Sequence, residues 1–349
     1  MARRLATLAV AAALATACCS EPEPPDTASP ELGDVLAAGA GHAVVASTSL
    51  REPFRCAESP PPTPQKLVLG RRTLTIEGDT LTIAPGDRVL VLGVVADARG
   101  ATGETTANLE RVRQAFDREK VELVVSLGGM GTREEELVEV YRALGAPLWA
   151  IPGDRESIPA HRAALSSLAR EGRAVFDGSR VRAIAIEGVV LAALPGADNA
   201  GQLMAGADGC LHRPVDVTAL ATRLAPLGGV RVWAGHSAPR QRGPAAADRA
   251  FGGVHVGNLE LASALPAARA HLVLHGEVDQ AALGPAAGQA RLVEGAPPVV
   301  LGTGPVEAMP VAGARGAPIG GAALVVRIAG HAMSWKRVRL PVPGSVSAR

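Results

Sequence analysis

Four short apolar runs, each followed by a loop with glycine and charged residues, constrain most strongly what this chain can fold into. They cover 87–95, 121–127, 147–151 and 271–275 and are rich in Val, Leu and Ile. Runs this continuous are typical of strands buried on both faces. Helical patterns separate the first three runs, which predicts parallel strands joined by crossover helices.

The rest of the chain favours a fold with both helices and strands. Alternating residues around 73–83 predict a β-hairpin, and apolar spacing predicts helices over 108–120, 133–144 and 158–170. The second half is richer in strands. There we expect short helices over 215–224 and 259–267, and strands over 181–186, 189–194, 230–234, 299–301, 322–328 and 333–340. This order predicts an α/β fold with two mixed sheets.

The loops after the four runs carry the residues that point to chemistry. In open α/β sheets, ligands bind beyond the carboxyl ends of the strands, so we expect these loops to line one cleft. A separate His236 follows the apolar run 230–234. The loops read Asp97-Ala98-Arg99, Gly128-Gly129, Gly153-Asp154-Arg155-Glu156 and Gly276-Glu277-Val278-Asp279.

The order and spacing of these loops resemble the calcineurin-like metallophosphoesterases over about residues 90–340. The resemblance implies a four-layer α/β/β/α sandwich, and in that family the loops hold two metal ions. Arg99 stands where the family has the His of Asp-x-His, and a guanidinium has no lone pair to offer a metal. Gly129 replaces the carboxylate that bridges the two metals, and Arg155 replaces the His of Gly-Asn-His. The resemblance therefore does not imply two-metal catalysis.

Several ligand positions nevertheless keep residues that could bind a cation. Asp154 replaces the Asn, His236 matches the later lone His, and Glu277 stands for one closing imidazole. These three residues could hold a single Mg, Mn or Ca ion, because hard cations accept carboxylate oxygens. Asp97 and Asp279 are weaker candidates, since the other half of the site has lost two ligands. Glu156 retains the acidic last place of its motif.

Two alternatives need no metal. Arg99 and Arg155 could neutralise the carboxylates through charged hydrogen bonds and close the cleft as a salt-bridge cluster. A guanidinium left over could bind a phosphate or carboxylate. Alternatively, all of these residues are solvated loop residues in a site that has drifted from its former chemistry.

The N-terminus predicts export. Arg3 and Arg4 precede a short apolar run, and small residues before Cys18 resemble the bacterial lipobox, which implies cleavage and lipidation there. The alternative is an ordinary secretory signal cut near Ala17. We expect a signal peptide over 1–18, a Pro-rich tether over 19–65 and a phosphoesterase-like domain over 66–349. Lipidation would anchor the chain in a bacterial cell envelope, facing the periplasm or the cell surface.

Cysteines and charge set further limits. An exported chain meets an oxidising compartment, and Cys56–Cys210 is the first disulfide pair to test. The chain has 35 basic and 34 acidic residues, which gives no electrostatic reason to expect nucleic acid binding. Ser237, in Gly235-His236-Ser237-Ala238-Pro239, only partly resembles a serine-hydrolase nucleophile elbow, because Pro239 does not begin a helix.

These observations lead to one preferred function and one alternative. We expect a binding or scaffold module with a degenerate phosphoesterase domain and no cofactor, or at most one divalent cation. Its partners would be the membrane, through the lipid, and a small anionic ligand or a protein. The alternative is a residual one-metal or altered-substrate hydrolase of phosphoric esters.

Overall fold

The computed structural model describes residues 52–69, 71–84, 89–145, 147–243, 245–307 and 319–342. Within these ranges, no helix combines the length and the apolar character needed to cross a membrane. The expected signal peptide, Cys18 and the first part of the tether lie outside the described residues.

Five α-helices and seventeen strands make up the described domain. The helices are α1 (Gly103–Glu119), α2 (Glu134–Leu144), α3 (Ile158–Arg170), α4 (Pro214–Leu224) and α5 (Leu259–Ala268). The strands are β1 (Phe54–Arg55), β2 (Gln65–Leu69), β3 (Arg72–Glu77), β4 (Thr80–Ala84), β5 (Leu90–Val95), β6 (Leu123–Ser126), β7 (Leu148–Ala150), β8 (Val175–Asp177), β9 (Ala183–Ile186), β10 (Val189–Leu194), β11 (Cys210–Leu211), β12 (Val230–Gly235), β13 (Leu272–His275), β14 (Ala287–Arg291), β15 (Val299–Gly302), β16 (Ala322–Ala329) and β17 (Ala332–Arg339). Short 3₁₀ helices cover Cys56–Glu58, Ala200–Gln202, Gly206–Asp208, Phe251–Gly253 and Asp279–Leu283.

The strands form two large sheets and one small pair. The first sheet has the order β15-β13-β12-β10-β9-β4-β3-β2, and the second has the order β14-β17-β16-β5-β6-β7-β8. Both sheets are mixed. In the first, β10, β12, β13 and β15 run parallel and β9 pairs antiparallel with β10. In the second, β5, β6, β7 and β8 run parallel and β16 and β17 pair antiparallel. The expectation of two mixed sheets is confirmed.

Three apolar cores show that the sheets and helices form four layers. The largest core lies between the sheets, where Leu92 and Val94 pack with residues such as Leu191 and Val232. A second core packs α1, α2 and α3 on the seven-stranded sheet, and a third packs α4 and α5 on the eight-stranded sheet. The chain therefore forms the expected α/β/β/α sandwich.

Strand β5 shows why the apolar run is continuous. Leu92 and Val94 face the other sheet, and Val91 and Val95 face the helices. Because both faces are buried, every position favours an apolar residue. Gly93 lies on the helix side, where a Cβ would come within 2.8 Å of the Phe116 ring, so α1 packs directly against the strand backbone.

Helix α1 begins at Gly103, five residues before the expected start at position 108. Thr102 adopts an extended conformation, and its side chain accepts a hydrogen bond from the backbone N–H of Thr105. This N-cap stabilises a first turn that the apolar pattern does not reveal, because capping depends on polar residues.

The segment over 52–65 is docked on the domain, although the sequence places it in the tether. Strand β1 pairs in parallel with β11, and Cys56 and Cys210 form a disulfide with their Cα atoms 5.5 Å apart. Arg55 makes two hydrogen bonds to Asp216 of α4, at 2.7 and 3.1 Å. The described domain thus begins by residue 52 and not at 66. Its first residues have no apolar pattern because charged side chains and the disulfide hold them.

Candidate functional site

The loops after β5 and β6 form one side of the cleft. Their backbones continue to pair beyond the strands: the N–H of Asp97 donates to Gly128 at 3.0 Å, and that of Arg99 to Gly129 at 2.9 Å. Asp97 and Arg99 both have left-handed backbones, with φ of 51° and 59°. Such values are uncommon outside glycine and often occur where a structure positions a functional side chain.

Glu156 holds the loops after β6 and β7 together. Its carboxylate is fully buried and accepts backbone hydrogen bonds from Gly129 at 3.2 Å, Met130 at 2.8 Å and Gly153 at 2.8 Å. All of these bonds are to backbone N–H groups of the site loops. The acidic residue retained in this motif therefore fixes loop geometry and does not face the cleft cluster.

Asp97, Asp154 and His236 form the central cluster of the cleft. Each offers one ligand atom, and these atoms all lie within 4.8 Å of one another. Nε2 of His236 lies 3.1 Å from Oδ1 of Asp154. Nδ1 lies 2.9 Å from the carbonyl oxygen of Leu127, to which it can donate a hydrogen bond. The cluster therefore combines side chains from the segments that follow β5 and β7 of one sheet and β12 of the other.

Two glycines make the room that the His236 ring occupies. A Cβ on Gly153 would lie 2.6 Å from Cγ of the ring, and a Cβ on Gly128 would lie 3.2 Å from Nδ1. Gly128 also has φ of 86°, which disfavours other residues there. The sequence carries a signal for this contact, since both glycines follow apolar runs, but spacing alone does not identify the ring they accommodate.

The charges of the cluster depend on one another. Burial raises the pKa of Asp97 to about 7, and nearby His236 and Arg99 only partly oppose that effect. Burial alone would lower the pKa of His236, but Asp154, Asp97 and Glu277 outweigh it and hold that pKa well above its usual value. Burial alone would raise the pKa of Asp154, but His236 outweighs burial and lowers that pKa below its usual value. The cluster thus favours one positive charge among its carboxylates.

Arg99 closes the other half of the cleft. Its Nη2 donates to Oδ1 of Asp279 at 2.6 Å and lies 4.0 Å from Oδ2 of Asp97. The Arg99 and Asp279 side chains are 15% and 19% exposed, so this ion pair is largely shielded from water. The guanidinium of Arg99 therefore contacts Asp97 and Asp279, the two carboxylates that the sequence offered as weaker metal ligands.

Arg155 does not take part in that pairing. Its side chain is half-buried, and among the described residues it forms no ion pair within 4.0 Å. The structure therefore supports the salt-bridge alternative for Arg99 and gives no such contact for Arg155.

Glu277 lies outside the central cluster. Its Oε2 accepts a hydrogen bond from the backbone N–H of Ala238 at 3.1 Å, and Oε1 lies 3.5 Å from the amide nitrogen of Gln202. Burial raises the pKa of Glu277. The structure thus brings Asp97, and not Glu277, together with Asp154 and His236.

Gly129 gives Asp97 its place in the cluster. A Cβ at Gly129 would overlap Oδ1 of Asp97, and Gly129 has φ of 74°. The carboxylate of Asp97 therefore fills space that any side chain at position 129 would need. Gly129, which the resemblance puts at the bridging position, supplies no ligand, and the carboxylate of Asp97 lies directly against it.

The central cluster fits a single divalent cation. It supplies two carboxylates and an imidazole whose Nδ1 can donate to a carbonyl, an arrangement that directs the Nε2 lone pair towards a metal. Carboxylate oxygens suit hard divalent cations, and an imidazole nitrogen suits first-row transition metals. A bound cation would act as a Lewis acid towards an oxygen ligand.

The remaining histidines that lie near the cleft have other surroundings. Nδ1 of His255 is 2.8 Å from Oδ1 of the buried Asp248. His275 is fully buried, and burial lowers its pKa to about 4, so the ring is neutral. Neither residue is part of the central cluster.

The comparisons with known proteins concern the fold. No protein-family model matches the sequence, and no curated protein matches it. A dimetal phosphatase from Danio rerio is 12% identical, with a TM-score of 0.44 over 73% of this chain and 99% of that chain. A putative 5'-nucleotidase from Staphylococcus aureus is 13% identical, with a TM-score of 0.44 over 73% of this chain and 54% of that one. GAP50, the anchor in the inner membrane complex of Plasmodium, is 10% identical, with a TM-score of 0.43 over 72% and 84%. The two mixed sheets and the cleft loops agree with the α/β/β/α sandwich that the resemblance to the calcineurin-like metallophosphoesterases implied.

Placing a carboxylate at position 129 should damage the site. We expect Gly129→Asp to lower the free energy of unfolding by at least about 2 kcal/mol, because its side chain would overlap Asp97 at a left-handed backbone. Urea unfolding measures the change. Gly78→Asp is the matched control, since Gly78 also has a positive φ, 58°, but no atom lies within 4 Å of its Cβ position. Equal losses in both variants would contradict the overlap.

Asp97→Asn should stabilise the metal-free protein increasingly as pH rises. The folded-state pKa of Asp97, about 7, lies above the usual value of 3.8, so its ionisation opposes folding between those pH values. We expect the advantage of the variant to grow between pH 4 and pH 7, to at most about 4 kcal/mol. Urea unfolding in EDTA at several pH values measures it, with the exposed Asp117→Asn as control. A difference that is constant with pH would contradict this account.

Proposed function

We propose that this protein is a lipid-anchored module of the bacterial cell envelope that binds a ligand or partner without two-metal hydrolysis. The observation that carries the proposal is the ion pair between Arg99 and Asp279, at 2.6 Å. It places a permanent cation among the groups that would have to hold one metal ion.

The space at Gly129 supports the same conclusion. Two-metal hydrolysis uses two ions about 4 Å apart that stabilise the attacking and leaving oxygens together. No carboxylate at position 129 can bridge them, and Asp97 fills the space where one would stand. Gly129 and Arg99 affect different parts of the site, so a single substitution would not create a two-metal site.

A second function, in the enzyme class, is favoured by the central cluster. Asp97, Asp154 and His236 fit one Mg, Mn or Ca ion, and a phosphoric ester could then be bound and hydrolysed at a single metal. The half-buried Arg155 borders this cluster and could bind the phosphate group of such an ester. The preferred proposal needs no turnover, whereas this alternative requires it.

Metal binding and turnover distinguish the two functions. We expect metal-stripped full-length protein to bind at most one Mn ion per chain in calorimetry and to hydrolyse a chromogenic phosphodiester no faster than buffer. Asp154→Asn should abolish any Mn binding, because it removes one of the charged ligands, whereas the exposed Asp117→Asn should not.

The possible outcomes of this experiment separate clearly. Turnover that depends on one Mn ion and is lost in Asp154→Asn would replace the binding module with the one-metal hydrolase. Two Mn ions per chain with turnover would contradict the proposal that Arg99 and Gly129 prevent two-metal hydrolysis. Absence of both metal binding and turnover would support the binding module, in which Arg99 pairs with Asp279.

The proposed anchor rests on Cys18 and the small residues before it. We expect the full-length chain, expressed in a bacterium with a fatty acid analogue that can be labelled, to carry the label and to sediment with membranes. Cys18→Ser should lose both properties, because the thiol that would receive lipid is gone. Cys19→Ser is the matched control and should keep them. Lipidation would be contradicted if the wild-type chain is cut near Ala17, released from the membrane and carries no label.

A further inference from the structure

A cavity outside the cleft is lined by the buried side chain of Arg337. Arg337 belongs to β17 and is only 7% exposed. It lines a cavity of about 230 Å³, whose other walls come from β15, the 3₁₀ helix Asp279–Leu283 and the loop over 245–249. This cavity contains none of the central cluster residues of the cleft.

Arg337 has no carboxylate partner among the described residues. Nη1 donates to the carbonyl of Thr303 at 2.5 Å and Nη2 to that of Gly302 at 3.1 Å, whereas Nε has no hydrogen-bond partner. Burial lowers the pKa of Arg337 to about 10, and Arg339 acts in the same direction, so the side chain is still charged at neutral pH. Buried charges are normally paired, because removing an ion from water is costly.

A second donor lines the same cavity. The indole Nε1 of Trp335 is buried and has no hydrogen-bond partner among the described residues. Gln280 and Arg249 also line the cavity, and its remaining walls are largely apolar, from Ala, Val, Leu and Pro residues. Arg337 and Trp335 thus each keep one buried N–H without a hydrogen-bond partner among the described residues, and both residues line the same cavity.

The volume limits what could fill that space. A water molecule takes about 30 Å³ of liquid, so one chloride or water would leave most of the cavity empty. Pockets for drug-sized ligands begin at about 300 Å³. The cavity fits a compact molecule with one anionic end and a small apolar body, or a single phosphate with its water.

We propose that this cavity binds a small oxyanion, a carboxylate or phosphate group, with Arg337 as its counter-charge and Trp335 as a second donor. A planar guanidinium suits both groups because it can present two parallel N–H donors. The site is separate from the cleft, so it does not depend on whether the cleft holds a metal.

The test measures binding of inorganic phosphate and of propionate to the full-length protein by calorimetry, against chloride at equal ionic strength. We expect one saturable site for at least one of the two oxyanions and none for chloride. Arg337→Met should weaken that binding at least about tenfold, because it removes the charged donor. Which probe binds more tightly distinguishes a phosphate site from a carboxylate site.

Arg339→Met is the matched control. Arg339 lies two residues further along β17 and is exposed, and its Nη2 donates to the carbonyl of Gly284 in the cavity wall at 3.2 Å, so its loss removes the same charge while Arg337 stays in place. Trp335→Phe keeps the ring and removes the N–H donor, and we expect it to weaken binding if Arg337→Met does not fold. Binding of neither oxyanion, or equal binding in the wild type, Arg337→Met and Trp335→Phe, would overturn the proposal.

Discussion

The geometry of the cleft depends on the buried carboxylate of Glu156. By accepting three backbone N–H groups, it fixes the loops after β6 and β7 relative to each other. Those loops carry Gly129 and Asp154, and the space they leave between them admits the His236 ring from the opposite sheet. A carboxylate that binds backbone in this way acts as a structural support. The cleft can therefore keep its shape although Arg99 and Gly129 stand where the resemblance implies metal ligands.

Within that fixed framework, side chains replace much of the positive charge that metals would provide. Arg99 pairs with Asp279 in one half, and a protonated His236 lies among Asp154 and Asp97 in the other. The two halves differ in one important respect. A guanidinium keeps its proton at any ordinary pH, whereas a protonated imidazole can release its proton to the solvent and then bind a cation through the freed nitrogen. Only the half around His236 therefore retains the chemistry needed for metal binding.

The sequence predicted the fold well because its signals were repeated along the chain. Continuous apolar strands and strand-end loops indicated both sheets, and the hairpin at Gly78 was found where expected. The candidate site was predicted less completely. Asp97 and Glu277 followed strands in the same way, and only the three-dimensional structure shows that one joins His236 whereas the other binds the backbone of Ala238. The docking of 52–65 also escaped prediction, because its contacts come from residues far away in sequence, such as Asp216.

The Cys56–Cys210 bond has a consequence for how this protein should be produced. The two cysteines are 154 positions apart, and the ring they close contains Asp97, Gly129 and Asp154 but not His236. Three of the cleft's loops therefore belong to a covalently closed segment, which His236 joins only through non-covalent packing. A reducing cytoplasm leaves that ring open. Material made there would lack a cross-link that restricts the unfolded chain, so protein from an oxidising compartment is the appropriate reference for stability.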